Sequence, residues 1–374
     1  MSKYKIVVLP GDGIGKEVIW EAIKILEAIE EGFPLDFERL TYPCGGEYYL
    51  ESGEEWPEEA FEVCKKEADA ILLGAIGYPE AVLPSGDLAG TSVVFGLRFG
   101  LDLYANVRPT KLLPNVKQKI SNEFRSVWKP GKVDFVTVRE NTEGCYTPAR
   151  GYLERGGIQE LAVDSRVITR KGAKRVIKFA FELCMRRNGA PHDGKKRVTC
   201  VDKSNVMAGC RLFRRVYDEI AEKYPEVNKD YAYIDAFTQW IIRNPEWFDV
   251  AVCPNMFGDI ATDLASVLEG GMGMAAGGNI GDYHAMFEPI HGSAPRHAGK
   301  DKVNPVAAIS ATKMMLDWIG SQKNDHNLMA AAKKVGQAIV DVLEEGKVLT
   351  YDLGGSSKCS EVGTAIARRI KEIE

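Results

Sequence analysis

The sequence predicts an α/β protein of two domains. Three observations carry that reading. Short apolar runs of strand length alternate with helical apolar periodicity along the chain, charged residues gather just after the apolar runs, and 374 residues suffice for two sizeable cores. No internal repeat or low-complexity tract competes with it. The composition is that of an ordinary globular protein, 45% hydrophobic and 27% charged. A formal charge of −5 offers no basic stripe for nucleic acid and no cationic face for a membrane. No run approaches the ~18 apolar residues of a membrane span, and the first residues lack the apolar core of a signal peptide. The eight cysteines form no C-x-x-C pair, so reduced thiols, a cytoplasmic location and no zinc site are expected.

Residues 4–9 read as a buried strand, and Val18, Ala22, Ile25 and Ile29 mark the helix that follows it. Between them, Pro10-Gly11-Asp12-Gly13-Ile14-Gly15 is a glycine-rich turn of the kind that can present backbone N–H groups to a phosphate. It misses the dinucleotide fingerprint G-x-G-x-x-G by one residue, with Lys16 where the third glycine belongs. A structural tight turn is the stronger reading, and a Rossmann fold is not expected.

Residues 70–77 form a second strand-like run, followed by a long Pro-, Gly- and Ser-rich loop over 79–92. A helix over 93–103 carries Arg98, and 104–109 is extended, because Arg108 precedes a proline. The polar stretch 114–132 is a surface excursion. Residues 133–138 form a strand that ends in Arg139-Glu140-Asn141-Thr142-Glu143-Gly144-Cys145-Tyr146. An amphipathic helix over 171–187 and a basic loop precede the strand 198–201, which ends at Asp202-Lys203. The strand 231–234 ends at Asp235, and the strand 250–253 is followed by the turn Pro254-Asn255. Six glycines among apolar residues make 270–281 neither a helix nor a linker, and two final helices are expected over 304–316 and 327–343.

Asp259 and Asp263 stand four apart in a helical segment, so both carboxylates leave one face about a turn apart. Such a pair suits a hard divalent cation, Mg²⁺ or Mn²⁺; the plainer alternative is a first helical turn that offsets the macrodipole. Arg108, Arg139, Lys203, Asp235 and the aspartate pair all lie where strands finish, the end at which α/β sheets bind ligands. With Arg98 and Tyr146 they form a coherent set: arginines for carboxylates, aspartates for a cation, a lysine and a tyrosine for protons. The implied substrate is a small di- or tricarboxylate.

Six motifs then point to a family. Pro10-Gly11-Asp12-Gly13-Ile14-Gly15, Asp102-Leu103-Tyr104-Ala105-Asn106-Val107-Arg108-Pro109, Val138-Arg139-Glu140-Asn141-Thr142-Glu143-Gly144, Asp202-Lys203-Ser204-Asn205, Asn255-Met256-Phe257-Gly258-Asp259-Ile260 and His291-Gly292-Ser293-Ala294-Pro295 occur in order. Together they resemble the β-decarboxylating dehydrogenases, the family of isopropylmalate, isocitrate, homoisocitrate and tartrate/malate dehydrogenases. The resemblance implies the two-domain fold of that family, not a Rossmann fold. Residues 1–103 with 271–374 would be the large cofactor-side domain, and 104–270 the small domain of dimerisation, substrate and metal. It implies that Arg98, Arg108 and Arg139 bind substrate carboxylates and that Asp235, Asp259 and Asp263 hold Mg²⁺ or Mn²⁺. Lys203 would deprotonate the hydroxyl and Tyr146 would reprotonate the enol. Lys203 and Asp235 would reach across a homodimer with shared active sites. The cofactor would lie along Glu288, His291, Gly292, Ser293, Ala294, Pro295, Arg296 and His297, with Asn304 near the adenine.

Members differ in the substituent at substrate C3, read by the helix before Arg98. An isocitrate enzyme would show a serine and, two residues on, an asparagine; here Ser92 is followed by Val94, with Val93 and Phe95 adding apolar surface. A carboxylate facing those side chains would lack partners, at a cost of several kcal/mol. 3-Isopropylmalate, and with it leucine biosynthesis, is therefore expected first. Tartrate or D-malate, and isocitrate or homoisocitrate, remain alternatives. NAD is the cofactor expected of the isopropylmalate and tartrate branches, while Arg296-His297 departs from the NAD pattern and keeps NADP open, since an arginine can bind a 2′-phosphate.

Overall fold

A computed structural model describes residues 2–373. Its first part runs β1 (Ser2–Leu9), α1 (Ile14–Gly32), β2 (Leu35–Thr41), α2 (Gly46–Ser52), α3 (Glu58–Lys66), β3 (Ala70–Leu73) and α4 (Thr91–Gly100). Then come β4 (Ala105–Lys111), the short β5 (Gln118–Ile120) and β6 (Glu123–Arg125), β7 (Asp134–Glu140), β8 (Arg150–Arg155), β9 (Ile158–Asp164) and α5 (Arg170–Arg186). β10 (Arg197–Asp202), α6 (Ala208–Ala221), β11 (Asn228–Tyr233), α7 (Ile234–Arg243), β12 (Val250–Cys253) and α8 (Asn255–Ser266) follow. The chain closes with β13 (Ala276–Ile280), β14 (Ala285–Pro289), α9 (Val306–Lys323), α10 (His326–Glu345) and α11 (Cys359–Glu372). Among the described residues no helix is long and apolar enough to cross a membrane.

The chain divides into two compact units. Unit 1 holds the described residues up to Leu103, Leu112–Pro130 and those from Ser266 on; unit 2 holds Tyr104–Lys111 and Gly131–Ala265. This differs from the expected boundaries at two places. The 112–130 excursion belongs to unit 1, where Gln118 donates to the Leu268 carbonyl at 3.0 Å, and the later crossing falls at Ser266 instead of 271.

In unit 1 the strand order is β13-β14-β3-β1-β2, parallel except for β13 against β14. β3 is buried along its whole length, as a parallel strand covered on both faces must be. Val18, Ala22, Ile25 and Ile29 are all buried, so the helical spacing in α1 marks a true core face. β13 is an unexpected strand inside the glycine-rich stretch. All five of its residues are buried, so it shows no alternation, and Gly278 lets the Phe287 ring approach, an added Cβ lying 3.0 Å from it. A third helix, α11, follows the two expected last ones.

The glycine-rich turn is a structural joint. Asp12, fully buried, accepts N–H bonds from Gly46 at 2.9 Å, Glu47 at 2.8 Å and Gly77 at 2.7 Å. The turn's own donors are spent within the protein: Asp12 N–H on Ala75 O at 2.7 Å, Gly13 N–H on Glu47 at 3.1 Å, Ile14 N–H on Ser293 O at 2.9 Å. Gly15 N–H is likewise spent on Asp12 O at 2.8 Å, so these four donors do not take the phosphate-binding role of a dinucleotide turn.

In unit 2 the order is β11-β10-β12-β7-β4, parallel except for β4 against β7. α5 and α6 pack together beside it. The antiparallel hairpin β8–β9 stands apart, exposed at every position. All eight cysteines are free; only Cys145 is not fully buried.

Candidate active site

Unit 2 gathers its reactive groups at the carboxyl ends of its parallel strands. β12 ends at Cys253, Pro254 turns the chain, and α8 begins at Asn255, which puts Asp259 and Asp263 one and two turns on along one face. β7 pairs with β12 in the register Cys253↔Arg139 and so delivers Arg139 against the start of α8. Gly258 permits the approach, since an added Cβ would lie 2.6 Å from the Arg139 Cβ and 2.9 Å from the Cys253 Sγ.

Arg139 is 2% exposed. Its Nε and Nη2 donate to Asn255 Oδ1 at 3.0 and 2.7 Å, and its Nη1 pairs with the Asp259 carboxylate. The Tyr146 hydroxyl donates to the other Asp259 oxygen at 2.8 Å, with the Arg139 guanidinium 5.6 Å from the Tyr146 ring centre. Three residues expected from sequence thus form one bonded cluster. Burial, then donation to the Asp259 carboxylate, pushes the Tyr146 hydroxyl up to about 12, against the pull of Arg139. A raised value keeps the proton on, so the Tyr146 hydroxyl is protonated at neutral pH. Partial burial raises the Asp263 carboxyl; Arg108 and Arg139 oppose that, and Asp259 adds to it. Arg108, buried on β4, is steered by its Nε–H donation to Asn106 Oδ1 at 2.7 Å.

Lys203 and Asp235 form a second group. β10 and β11 are parallel neighbours in the register Asp202↔Tyr233, so the residues just past their ends meet, Lys203 Nζ lying 2.6 Å from Asp235 Oδ1. The lysine's hydrogen bond holds the exposed Asp235 carboxyl below its ordinary range. The Asp259 and Asp263 carboxylates offer the oxygen donors that a hard divalent cation takes. Among the described residues of one chain, no three His, Cys, Asp or Glu side chains come together as a metal cage. The α8 pair would supply two of the ligands of such a cation.

In unit 1, Arg98 on α4 is buried and paired with Glu288 at 3.2 Å, and Asn279 donates to the same Glu288 oxygen at 2.8 Å. Arg98 Nε is buried without a partner among the described residues. Val94, one turn before it, is half-buried against the hydrophobic core, and the Phe95 ring centre lies 5.9 Å from the Arg98 guanidinium. Ser92 is exposed; its N–H donates to Glu55 at 3.1 Å.

After β14 the chain forms the loop His291-Gly292-Ser293-Ala294-Pro295. Its Ser293 hydroxyl donates to Gly77 O, and Ala294 adopts φ 37°. His291 Nδ1 lies 3.0 Å from Gly292 O, while its Nε2 is buried with no partner among the described residues. Burial lowers the His291 pKa, so the ring stays neutral. An orphaned ring nitrogen beside a tight loop fits a bound nucleotide. Asn304 is partly committed elsewhere: its Oδ1 accepts from Val306 N–H at 3.0 Å at the start of α9, and its Nδ2 donates to Asp352 at 3.0 Å. His297 stacks on Tyr351 at 5.9 Å, and the Lys302 ammonium lies 4.4 Å from that ring centre. Arg296 is exposed, and its side chain makes no hydrogen bond or ion pair among the described residues.

Three contributors escape residue-by-residue reading of the sequence. Asn255 carries Arg139. Glu140 accepts from Thr142 N–H, Thr142 Oγ1 and Glu143 N–H at 2.8–2.9 Å, and Glu143 accepts from Thr169 N–H and Oγ1 at 2.9 and 2.8 Å. Burial raises both carboxyls, and both brace the turn that leads to Tyr146. Both lie in the Val138–Gly144 motif, but nothing in that polar stretch distinguishes a bracing carboxylate from a solvated one.

The family model for isocitrate/isopropylmalate dehydrogenase matches residues 5–366. A 3-isopropylmalate dehydrogenase of Bifidobacterium longum is 43% identical over 346 residues, 91% of this chain and 93% of that protein. One of Clavibacter sepedonicus is 41% identical over 372 residues, 98% and 97% of the two chains. Among solved structures, isocitrate dehydrogenase from Methylococcus capsulatus aligns with a TM-score of 0.83 at 33% identity, covering 98% of this chain and 99% of that one.

Proposed function

The chain belongs to the isocitrate/isopropylmalate dehydrogenase family, and from that premise we propose that it oxidatively decarboxylates 3-isopropylmalate. As a β-decarboxylating dehydrogenase it depends on NAD(P) and a divalent metal, as its family does. The observation that carries the choice of substrate is the α4 surface before Arg98, where Val94 and Phe95 offer apolar contact and no partner for a third carboxylate. Burying that carboxylate there would cost several kcal/mol, whereas an isopropyl group would gain from the same surface. The named relatives, 3-isopropylmalate dehydrogenases, agree.

In the proposed mechanism, Arg98, Arg108 and Arg139 hold the substrate carboxylates through bidentate bonds. Lys203 takes the proton of the C2 hydroxyl. When bound, the nicotinamide cofactor would supply the hydride acceptor for C2, and a Mg²⁺ or Mn²⁺ ion, which Asp259 and Asp263 would hold, would supply Lewis-acid stabilisation of the charge that develops on the substrate. Carbon dioxide leaves, and Tyr146, whose proton is held firmly, protonates the enol carbon. Among the described residues of one chain Asp235 does not join Asp259 and Asp263 in a three-carboxylate group, and a homodimer in which the partner subunit's Lys203 and the partner subunit's Asp235 complete each site would supply what is missing. The exposed apolar side chains Tyr152, Leu153, Ile158, Leu161 and Val163 on the β8–β9 hairpin suit burial against a second copy.

NAD is the cofactor expected of this branch. A second reading, NADP, is favoured by the unpaired Arg296 next to the His297–Tyr351–Lys302 group, which together offer positive charge to a 2′-phosphate.

Initial rates with 3-isopropylmalate, D-malate, tartrate, isocitrate and homoisocitrate, each with Mn²⁺ and with either cofactor, test the proposal. We expect kcat/KM for 3-isopropylmalate to exceed the others by roughly tenfold or more, the discrimination that a few methylene groups in an apolar pocket supply. Isocitrate ranking first would overturn the reading of α4. No turnover with any acid would overturn the function.

A further inference from the structure

We infer that Asn255 is the positioning residue for Arg139, and so sets how tightly the substrate carboxylate on Arg139 is held. The inference rests on the assignment of Arg139 to the substrate. Asn255 is 2% exposed and uses both ends of its amide. Its Oδ1 accepts along one edge of the guanidinium, from Nε at 3.0 Å and Nη2 at 2.7 Å. Its Nδ2 donates at 2.8 Å to the carbonyl of Glu143, in the turn that reaches Tyr146 three residues later. Gly144, at φ 91°, brings that turn close, an added Cβ there lying 2.9 Å from the Asn255 Cβ. One amide therefore ties together the start of α8, the guanidinium and the Tyr146 turn.

The chemistry of the amide matters as much as its position. A carboxylate at this place would orient Arg139 equally well but would neutralise it, and Asp259 already supplies one anion to the guanidinium. A neutral acceptor fixes the direction of the guanidinium and leaves its charge available to an anionic substrate. The carbonyl of Glu143 needs a donor, which a carboxylate would not be. Asparagine satisfies both demands, and glutamine would push the guanidinium outward by a methylene.

A double-mutant cycle tests this, using Asn255→Ala, Arg139→Gln and the double variant, read as kcat and KM for 3-isopropylmalate with Mn²⁺. Equilibrium binding of 3-isopropylmalate with Mn²⁺ serves as the readout where turnover is too slow. We expect Asn255→Ala to lower kcat/KM roughly 10- to 100-fold, mainly through KM for the hydroxy acid, with KM for the nicotinamide cofactor unchanged. In the Arg139→Gln background the same change should cost less than about twofold, because a residue that acts through Arg139 has nothing left to position. Equal losses in both backgrounds would show a merely structural role and overturn the inference. If Asn255→Ala does not fold, Asn255→Leu, which keeps about the same shape but has no acceptor, replaces it in the cycle with the same two outcomes. A wild-type protein that turns over none of the five acids would remove the proposed function, and the inference with it. Wild-type turnover combined with equal losses would remove the inference alone.

Discussion

Replacing Asp259 by asparagine lowers Mn²⁺-dependent turnover by about 10³-fold or more while the protein stays folded. The carboxylate is at once an anionic donor for the cation, the partner of Arg139 and the acceptor of the Tyr146 hydroxyl. An amide keeps the shape, loses the charge, and presents two N–H groups toward a guanidinium that needs an acceptor. The Tyr146 pKa should fall toward its ordinary value, since the hydrogen bond to that carboxylate is the second cause of its rise. The Asp259 side chain is 36% exposed, so the fold does not depend on it, and the melting temperature should move by only a few degrees. Mn²⁺ binding followed by electron paramagnetic resonance, beside a thermal melt, checks both halves. Undiminished Mn²⁺ affinity in a folded Asp259→Asn protein would remove Asp259 from the metal site.

Lys203→Met should be as silent, losing roughly 10²- to 10⁴-fold in kcat, the usual worth of a positioned acid or base. Mixing it with Asp259→Asn is the more telling test. If each site takes Lys203 and Asp259 from different chains, a hybrid dimer has one site with both lesions and one with neither. With random reassortment half of the dimers are hybrids, so about a quarter of wild-type activity returns. If each chain completes its own site, mixing restores nothing. The exposed Lys203–Asp235 pair makes Lys203→Met tolerable to the fold, because surface ion pairs contribute little to stability.

Much of this arrangement was legible because it is local. The buried face of α1, the strand ends at Arg139 and Lys203, and the aspartates one turn apart on α8 are all stated by residues within a few positions of one another. The failed dinucleotide fingerprint was also legible, and its physical counterpart is a turn whose N–H groups are already spent. What escaped depends on distance in sequence or on the absence of a pattern. Glu288 stands 190 residues from Arg98, so nothing nearby announces that it holds an arginine as well as leading into the His291–Pro295 loop. β13 is buried on every residue and rich in glycine, which erases both the alternation and the propensity that mark a strand. α11 carries a signal, Val362, Ile366 and Ile370 at four-residue spacing, but it is spread thinly between charged neighbours. The role of Asn255 could not be read at all, because an asparagine after a proline is an ordinary helix start until Arg139, 116 residues earlier, is placed against it.

The central claim is that hydride transfer from 3-isopropylmalate and loss of carbon dioxide occur on this one chain and its copy. Parallel measurement of reduced nicotinamide formed and carbon dioxide released, with 3-isopropylmalate and Mn²⁺, tests it most directly. The account predicts one carbon dioxide for each cofactor reduced, with both lost in Asp259→Asn. Cofactor reduction without carbon dioxide, or neither with the wild-type protein, would contradict it.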